Sequence, residues 1–288
     1  MKKIILLALL FSAGLYAYAQ KMKLEEEKTI ERNLNFEQKG GNPLLILKNV
    51  SGNLSIEGYE GETIVLEARQ ILKAQDEEAM RYARENVKLV SRTEGDLILI
   101  YPEDPDVKAE LRGRRLHYHI NRHDAYYDFH YDIRLRVPNN ISLEASTINN
   151  GGVMVKNIEA ESIVLHNVNG GINAEQVSGL NTAHTVNGPI DIRYLQSPDE
   201  DAEYHTVNGD IRVSFPDEIK ANVRFKSMHG DLYTNYENIE YQPEVQASTE
   251  KGSKKIYRLD KSTTLKINGG GPLLDFNVLN GNVYVKKY

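Results

Sequence analysis

Strict alternation of apolar and polar residues is clearest near the middle of the chain. Between residues 127 and 137, every second residue is apolar or aromatic: Tyr127, Phe129, Tyr131, Ile133, Leu135 and Val137. Residues 116–120 alternate in the same way. A period of two predicts β-strands with one buried and one solvated face. The polar segment around His123 and Asp124 predicts that the two strands form a β-hairpin.

From residue 141 onward a short motif recurs: an apolar residue, Asn, Gly, any residue and a second apolar residue. It occurs at 168–172, 186–190 and 207–211, with variants at 148–153 and 228–232. Its glycines are 19, 18, 21 and 21 positions apart: Gly151, Gly170, Gly188, Gly209 and Gly230. Because Asn and Gly adopt positive φ at little cost, each motif predicts a tight turn between strands.

Columns of apolar residues accompany these turns. The second residue after each glycine is apolar, as in Ile172, Ile190, Ile211 and Leu232, and so is the fifth residue before it, as in Leu165, Ala183, Tyr204 and Phe225. One coil of about 20 residues cannot bury such a stripe, but stacked coils can. The sequence therefore predicts an all-β fold, a single-stranded β-solenoid or roll of stacked Asn-Gly coils over 139–288. Its open end needs a cap, for which residues 285–288 are the C-terminal candidate.

Residues 20–138 predict a smaller mixed part before the repeats. Short apolar runs predict strands at 45–47, 54–56, 63–72 and 97–101. Residues 76–87 predict the one helix of the chain, because its first turn contains acidic residues, which the helix dipole favours there.

The N-terminus has the features of a secretory signal peptide. Lys2 and Lys3 precede the apolar run 4–15, and residues 17–19 form the small-x-small pattern after which signal peptidase cuts. The run is shorter than the roughly 20 apolar residues of a membrane-spanning helix. We therefore expect residues 1–19 to be removed and the protein to be exported to the periplasm or cell surface, without stable membrane insertion of the mature chain.

Charge and cysteine content narrow the classes of function. Without Lys2 and Lys3 the chain has 33 basic and 41 acidic residues, a net charge of −8, which argues against nucleic acid as a partner. The chain contains no cysteine, which excludes disulfides, thiolate metal sites and a cysteine nucleophile. Phosphate-binding, hydrolase and zinc-protease motifs are absent from the sequence. We therefore predict no cofactor and no enzyme activity.

The predicted hairpin contains the first candidate site. If its turn lies at 123–124, His119 faces Asp128 and His117 faces His130, all on the solvated side. Two histidines at i and i+2 with a third on the neighbouring strand can hold zinc, and an aspartate can ligate it or orient a histidine. The candidate metal site is therefore the set His117, His119, His130 and Asp128. The alternative is a solvated strand face with a His–Asp pair, and a one-residue shift in register would separate the set.

Two more polar columns follow from the repeat. His166, His184 and His205 each stand four residues before a motif glycine, so stacked coils would place them about 4.8 Å apart on the outer face. Side-chain stacking, a metal site and a pH-sensitive patch are the open interpretations. Asp210 and Asp231 each follow a motif glycine and would lie about 5 Å apart, which suits a retaining glycosidase or a calcium site. Aspartate is also an ordinary turn residue after Asn-Gly.

The run 131–138 that leads into the Asn-Gly repeats resembles the putative-adhesin family of bacterial β-strand-repeat domains. A relative of that family is the head GIN domain of autotransporter-like adhesins, and residues 171–173 read Gly-Ile-Asn. The similarity spans roughly residues 45–285 and is clearest over 131–235. It implies an exported, elongated β-solenoid of Bacteroidetes-type bacteria, without an established catalytic activity.

Three classes of function stay open at this point. The first is a non-enzymatic, adhesin-like envelope or surface protein that binds an envelope protein or a polysaccharide. The second is a carbohydrate-active β-helix enzyme, such as a polysaccharide lyase or hydrolase, which needs a cleft of basic and acidic residues. The third is a metal- or pH-responsive binding module that uses the histidines. We favour the first, because the repeats place few outward Arg or Lys residues in register.

Overall fold

A computed structural model describes residues 22–38, 41–120, 126–216, 219–242, 247–251, 254–258 and 262–288. The predicted signal peptide, residues 1–19, and the predicted hairpin turn at His123 and Asp124 lie outside these ranges. Within them the chain is mostly β-strand with one helix, as the alternation of apolar and polar residues predicts. No helix in these ranges is long and apolar enough to cross a membrane.

The first part of the chain contains nine strands and the helix in the described residues. Four strands precede the helix: β1 (Leu24–Leu34), β2 (Leu44–Lys48), β3 (Leu54–Tyr59) and β4 (Ile64–Ala74). The helix is α1 (Glu77–Asn86). It is followed by β5 (Lys88–Glu94), β6 (Leu97–Glu103), β7 (Val107–Arg112), β8 (Arg115–Ile120) and β9 (Tyr127–Pro138).

The Asn-Gly repeats form most of the later strands. The first of these are β10 (Ser142–Thr147), β11 (Val153–Asn167), β12 (Ile172–His184), β13 (Ile190–Tyr194), β14 (Ala202–Asn208), β15 (Ile211–Phe215), β16 (Ala221–His229) and β17 (Leu232–Thr234). The rest are β18 (Ile239–Gln242), β19 (Ala247–Lys251), β20 (Lys254–Arg258), β21 (Ser262–Ile267), β22 (Leu273–Asn280) and β23 (Val283–Lys287).

Nineteen of the strands form one open sheet that folds into two layers. The first layer has the order β1-β4-β9-β3-β11-β12-β13-β15-β23-β17, and the second has the order β5-β6-β2-β10-β11-β12-β14-β22-β16-β21-β18. The long strands β11 and β12 take part in both layers, with a register shift between them after Glu159. Most neighbours are parallel, so the fold is solenoid-like.

The core lies between the two layers. Tyr194 in the first layer and Tyr204 in the second are fully buried, and their hydroxyl oxygens are 2.6 Å apart. The Tyr194 hydroxyl also reaches the Leu180 carbonyl at 2.9 Å, so the buried polar atoms are satisfied. Aromatic rings continue this packing along the stack, with Phe215 on Tyr194 at 4.8 Å and Phe276 on Tyr204 at 4.6 Å. Each such side chain contributes about 1.5–3 kcal/mol through burial of its apolar surface.

The C-terminal strands lie inside the stack. The predicted C-terminal cap would have placed them at its end. β22 pairs in parallel with β14 on one side and β16 on the other, and β23 lies between β15 and β17. The order of the predicted columns is therefore wrong at one step, since Val283 separates Ile211 from Leu232 and Phe276 separates Tyr204 from Phe225. The apolar pattern of residues 273–285 satisfies an interior position as well as a terminal one.

The motif glycines stack directly on one another. A Cβ atom built on Gly188 would lie 2.2 Å from the carbonyl oxygen of Gly170, and one on Gly209 would lie 2.2 Å from that of Gly188. Gly209 has a positive φ of 154°, but Gly188 is not in the left-handed region. The sequence suggests positive φ as the reason for glycine at these positions, and that reason is incomplete because it does not apply to Gly188. The closer constraint is the approach of one turn to the next.

The asparagines of the motifs form a ladder of side-chain hydrogen bonds along the same corner. Each Nδ2 donates to the Oδ1 of the preceding coil: Asn169 to Asn149, Asn187 to Asn169, Asn208 to Asn187 and Asn280 to Asn208, at 2.8–2.9 Å. His229 occupies the last position, with Nδ1 3.1 Å from the Oδ1 of Asn280. The motif therefore stabilises the stack as well as the turn.

The N-terminal part continues the same stack. The helix forms as predicted: Asp76 caps it by accepting a hydrogen bond from the Ala79 backbone N–H at 2.9 Å, and Met80 and Ala83 are buried. β2 pairs in parallel with β10 and β3 with β11, so one buried cluster spans the predicted boundary at 138/139. The β7–β8 pair covers a second, smaller cluster around Ile46 and Leu99.

Candidate functional site

The predicted histidine hairpin is wrong. β8, which contains His117 and His119, pairs with β7, opposite Glu110 and Lys108. β9, which contains Asp128 and His130, pairs instead with β3 and β4. In the described residues, no three His, Asp or Glu side chains come together in a way that could hold a metal ion. The zinc hypothesis depended on pairing of residues 116–120 with 127–137, and that pairing does not form.

Asp210 and Asp231 are not neighbours either. The C-terminal coil separates them, and Asn282 lies between them in the column. Both residues contact Asn282: the Asp210 Oδ1 accepts from the backbone N–H of Asn282 at 2.9 Å, and the backbone N–H of Asp231 donates to Asn282 Oδ1 at 3.0 Å. The spacing of about 5 Å expected for a carboxylate pair is therefore absent.

The histidine column forms as predicted. His166, His184 and His205 are paired in register on the outer face of the second layer, with ring centroids 5.4 and 5.7 Å apart. Burial lowers the pKa of His166, and the charges of His184 and Lys48 lower it further. Burial also lowers the pKa of His184, with the charge of His205 as a second cause. The three imidazole rings stack edge to face, and the lowered pKa values of His166 and His184 favour the neutral state of these two.

This column predicts a loss of stability in acid. Because the pKa values of His166 and His184 lie below their ordinary 6.5 when folded, the unfolded chain binds protons that the folded chain does not. The free energy of unfolding should be unaffected above pH 7 and should fall as the pH drops through and below about 6.5. Denaturant unfolding at pH 7.5 and 5.0 tests this. The double variant His166→Gln/His184→Gln should show a smaller drop, and an equal drop would contradict this role.

A Ser–His–Asp array occurs at the corner of the stack beside β9. The Ser51 Oγ lies 3.3 Å from His130 Nδ1, and His130 Nε2 lies 3.0 Å from Asp132 Oδ1. A serine nucleophile needs an open approach and donors for an oxyanion. Ser51 is only 6% exposed, and its Oγ already accepts from Asn150 at 3.2 Å. The array therefore closes the corner with hydrogen bonds and does not form an accessible nucleophile.

Asp132 has a second structural task in this array. Burial, the largest single influence, raises its pKa, but hydrogen bonds from the Asn53 backbone and side chain and from His130 together outweigh that effect. The net result is a lowered pKa, so the carboxylate stays ionised. Its Oδ1 accepts the Asn53 backbone N–H at 3.0 Å.

That contact begins a ladder of side chains that we call the acceptor ladder. It consists of the residues that share one register position in the first layer from β9 to β17. In stack order they are Asp132, Asn53, Gly152, Gly171, Pro189, Asp210, Asn282 and Asp231. Where a side chain is present, its Oδ1 accepts the N–H of the next coil, as Asn53 does from Gly152 at 3.0 Å. The ladder stops at Gly152, Gly171 and Pro189, which have no such acceptor.

This gap in the ladder is the floor of a groove on the outer face of the first layer. The groove has a volume of about 580 Å³ and crosses β4, β9, β3, β11, β12 and β13. Six strands at about 4.8 Å spacing give it a length of about 24 Å. Its outward side chains form one row in register: Glu67, Arg134, Ser55, Met154, Asn173 and Asp191.

The charges in the groove are neutralised within the protein. The Arg69 guanidinium binds Glu27 at 2.7 Å and lies 3.7 Å from Asp132. Arg134 lies 3.7 Å from Glu67. These exposed pairs contribute little to stability, but they leave the groove without a strong charge of either sign.

The groove also contains an unsatisfied acceptor. The Oδ1 of Asn173 is buried and has no hydrogen-bond partner in the described part of the chain. The backbone N–H of Gly171 has no acceptor in the ladder, because the preceding member, Gly152, has no side chain. The backbone N–H of Asp210 likewise has none, because the preceding member, Pro189, has no polar side chain. A buried polar atom without a partner is costly. Backbone donors without an acceptor in the ladder, beside the Asp191 carboxylate, favour a ligand that supplies hydroxyl groups.

Sequence reasoning missed this groove, although a signal was present. Three successive coils have Gly152, Gly171 and Pro189 at the position where the later coils have Asp210 and Asp231. Each residue is an ordinary turn residue by itself. Only their alignment in neighbouring strands turns three missing side chains into one continuous depression.

Several solved structures resemble this fold at low similarity. A putative cell adhesion protein from Clostridium sporogenes is 11% identical, with 91% of this chain and 100% of that chain covered and a TM-score of 0.41. A putative adhesin from Bacteroides fragilis is 12% identical, with 91% and 97% covered and a TM-score of 0.31. A putative lipid binding protein from Parabacteroides distasonis is also 12% identical, with 91% and 97% covered and a TM-score of 0.28. Similarities this low carry no argument about function.

Comparison with curated proteins gives no match. The Toastrack DUF4097 family model, in contrast, matches residues 42–268. This range includes the N-terminal strands, the helix and the Asn-Gly coils that form one stack. The match supports the resemblance to adhesin-like β-strand-repeat families that the sequence indicates. The relation to the head GIN domain stays a prediction. Because the match covers well over half of the chain, the protein belongs to the Toastrack DUF4097 family.

Proposed function

We propose that the protein is an exported, non-enzymatic binding protein of the bacterial envelope or cell surface that holds a linear polysaccharide in the groove. The observation that carries this proposal is the gap in the acceptor ladder, with the unpartnered Asn173 Oδ1 beside it. A stack of Asn-Gly coils built only for stability would have no reason to interrupt its hydrogen-bond ladder at three successive coils. The export signal predicted at 1–19 supports the location.

The chemistry of the groove favours hydroxyl-rich ligands. The Asp191 carboxylate provides an acceptor, and the Arg69 and Arg134 guanidinium groups with the Gly171 N–H provide donors. Hydroxyl groups can satisfy both kinds of partner. Met154, which is 41% exposed, adds an apolar contact to the same row. The length of about 24 Å suits an extended polymer better than a small molecule.

Substitution of Gly152 by asparagine tests the groove. Asparagine would extend the acceptor ladder, as Asn53 and Asn282 already do, and would fill the floor. The nearest atom to a Cβ there is the Gly171 oxygen at 3.3 Å, so the change should be tolerated with only a small adjustment. We expect polysaccharide binding to be lost while the free energy of unfolding changes by no more than about 1 kcal/mol.

The measurement is affinity electrophoresis or calorimetry of the mature protein with a panel of linear soluble polysaccharides and of extended peptides. At least one polysaccharide should bind saturably to the wild type and not to Gly152→Asn. Thr182→Asn, on the outer face of the second layer, is the matched control and should bind normally. Binding that survives in Gly152→Asn, or binding of peptides alone, contradicts the proposal.

A further inference from the structure

The row of side chains that lines the groove continues beyond it. After Asp191 the same register position is occupied by Arg212 in β15, Tyr284 in β23 and Tyr233 in β17. The complete row therefore crosses nine strands, which is about 38 Å at about 4.8 Å per strand. A linear ligand that leaves the groove at Asp191 would pass directly over these residues.

Aromatic rings and cations are concentrated at this end of the row. The rings of Tyr233 and Tyr284 stack at 5.1 Å and 14°. The Arg212 guanidinium lies 5.3 Å from the centre of the Tyr284 ring, and Lys286 Nζ lies 5.0 Å from it. These four residues and the neighbouring pair of Arg193 and Tyr288 form what we call the tyrosine–cation patch. Its members are Tyr233, Tyr284, Arg212, Lys286, Arg193 and Tyr288.

The last pair of the patch is preorganised. The Arg193 guanidinium lies 3.9 Å from the centre of the Tyr288 ring, and the Tyr288 hydroxyl is held by the Tyr194 carbonyl at 2.7 Å. A guanidinium that stacks on a ring keeps its N–H groups at the edge free to bind an anion. Arg193 itself is exposed, so a ligand can reach it.

Ion pairing differs between the groove and the patch. Arg134 of the groove has one carboxylate partner, Arg69 has two, and Arg212 has two, Asp191 at 3.5 Å and Asp210 at 2.5 Å. Arg193 and Lys286 have no carboxylate within 4.0 Å in the described part of the chain.

The nearest acid in register does not compensate Arg193. Glu175 is its neighbour in the sheet, but the Glu175 carboxylate binds Lys156 at 2.9 Å. On the other side of Arg193 the register position is Ser214, and Lys286 follows it. Two cations without a carboxylate partner therefore flank a serine beside the row that the ligand would follow.

We infer that the tyrosine–cation patch is an anion subsite and that the polysaccharide is acidic, with a carboxylate or a similar anionic group bound by Arg193 and Lys286. This inference rests on the proposed function, because the ligand reaches the patch by extending from the groove. Hydrogen bonds between a charged donor and a charged acceptor are the strongest that such a shallow surface offers. The Tyr233 and Tyr284 hydroxyls are further donors for the sugar beside the anion.

Linear polyuronates that differ in linkage are the probes, each compared with its own methyl ester, which has the same backbone without the charge. Calorimetry should show the wild type binding one polyuronate about tenfold more tightly than its ester, the change that one charge-assisted hydrogen bond produces. The preference should weaken as salt is added, because exposed charges are screened. Arg193→Gln/Lys286→Gln should abolish the preference and leave binding of the ester unchanged.

Two control variants separate this inference from the groove proposal. Lys88→Gln/Lys108→Gln removes two cations from β5 and β7, at the opposite end of the stack, and should keep the preference. Gly152→Asn should lose both the acidic and the esterified polymer. Equal affinity of the wild type for both forms overturns the anion subsite while the groove proposal stands, and so does a preference that survives in Arg193→Gln/Lys286→Gln. If the wild type binds none of the polyuronates, the anion subsite is also overturned. The groove proposal then stands, because it includes neutral polysaccharides.

Discussion

Replacement of Gly188 by valine is expected to lower the free energy of unfolding by about 3 kcal/mol or more. The Cβ of any residue at this position would lie 2.2 Å from the Gly170 carbonyl oxygen, and backbone atoms cannot move aside as a flexible side chain would. Gly209 approaches Gly188 just as closely, so a shift of one turn disturbs the next. Urea unfolding followed by circular dichroism measures the loss.

The matched control is Gly152→Ala in a neighbouring coil. A Cβ there meets only the Gly171 oxygen, at 3.3 Å, so we expect a change of no more than about 1 kcal/mol. If valine at 188 prevents folding altogether, Gly188→Ala gives a measurable intermediate loss, because its single Cβ meets the same oxygen. Similar stabilities for Gly188→Ala and Gly152→Ala would show that the turns are not in contact.

Replacement of Phe276 by alanine is expected to cost about 3–5 kcal/mol of stability. Its ring is fully buried and stacks on Tyr204 at 4.6 Å and 15°. Since β22 lies between β14 and β16, the cavity would open in the middle of the stack and would weaken the coils on both sides. Tyr241→Ala is the control, because Tyr241 is 76% exposed and its loss should cost no more than about 0.5 kcal/mol.

A double-mutant cycle tests the position of the C-terminal coil directly. Stacked aromatic pairs contribute about 0.5–1.5 kcal/mol beyond their buried area, so Phe276→Ala and Tyr204→Ala should be non-additive by about that amount. Phe276→Ala and Tyr127→Ala, which lie in distant parts of the stack, should be additive. Additivity of the first pair would place the C-terminal coil at the end of the stack, as the sequence columns predicted.

Local features of this fold were predictable because each depends on a few adjacent residues. The helix at 77–86 follows from its acidic first turn, and the strand at 127–138 follows from its period of two. The outward histidine column at 166, 184 and 205 follows from a constant distance to the next turn. In all three cases, side-chain alternation and turn position are sufficient to decide the result.

Strand partners were not predictable in the same way. Residues 116–120 and 127–137 both alternate strictly, yet β8 pairs with β7 and β9 pairs with β3 and β4. Alternation determines which face of a strand is buried, but any strand with a matching face can be its neighbour. The predicted zinc set of His117, His119, His130 and Asp128 depended on the pairing of β8 with β9, which does not form.

The sequence by itself determined that the chain is built from β-strands and Asn-Gly turns, which residues face the core and where the helix lies. Tertiary structure alone decided that the last coil inserts between β14 and β16 and that Gly152, Gly171 and Pro189 align as the floor of a groove. The physical reason is the range of the interactions. Turn conformation and amphipathic alternation act over about two to five residues. The parallel pairing that places the last coil joins segments 51 to 72 residues apart, as Arg224 with Asp275 and Asn208 with Asn280 are. Such pairing is chosen by the packing of the whole stack.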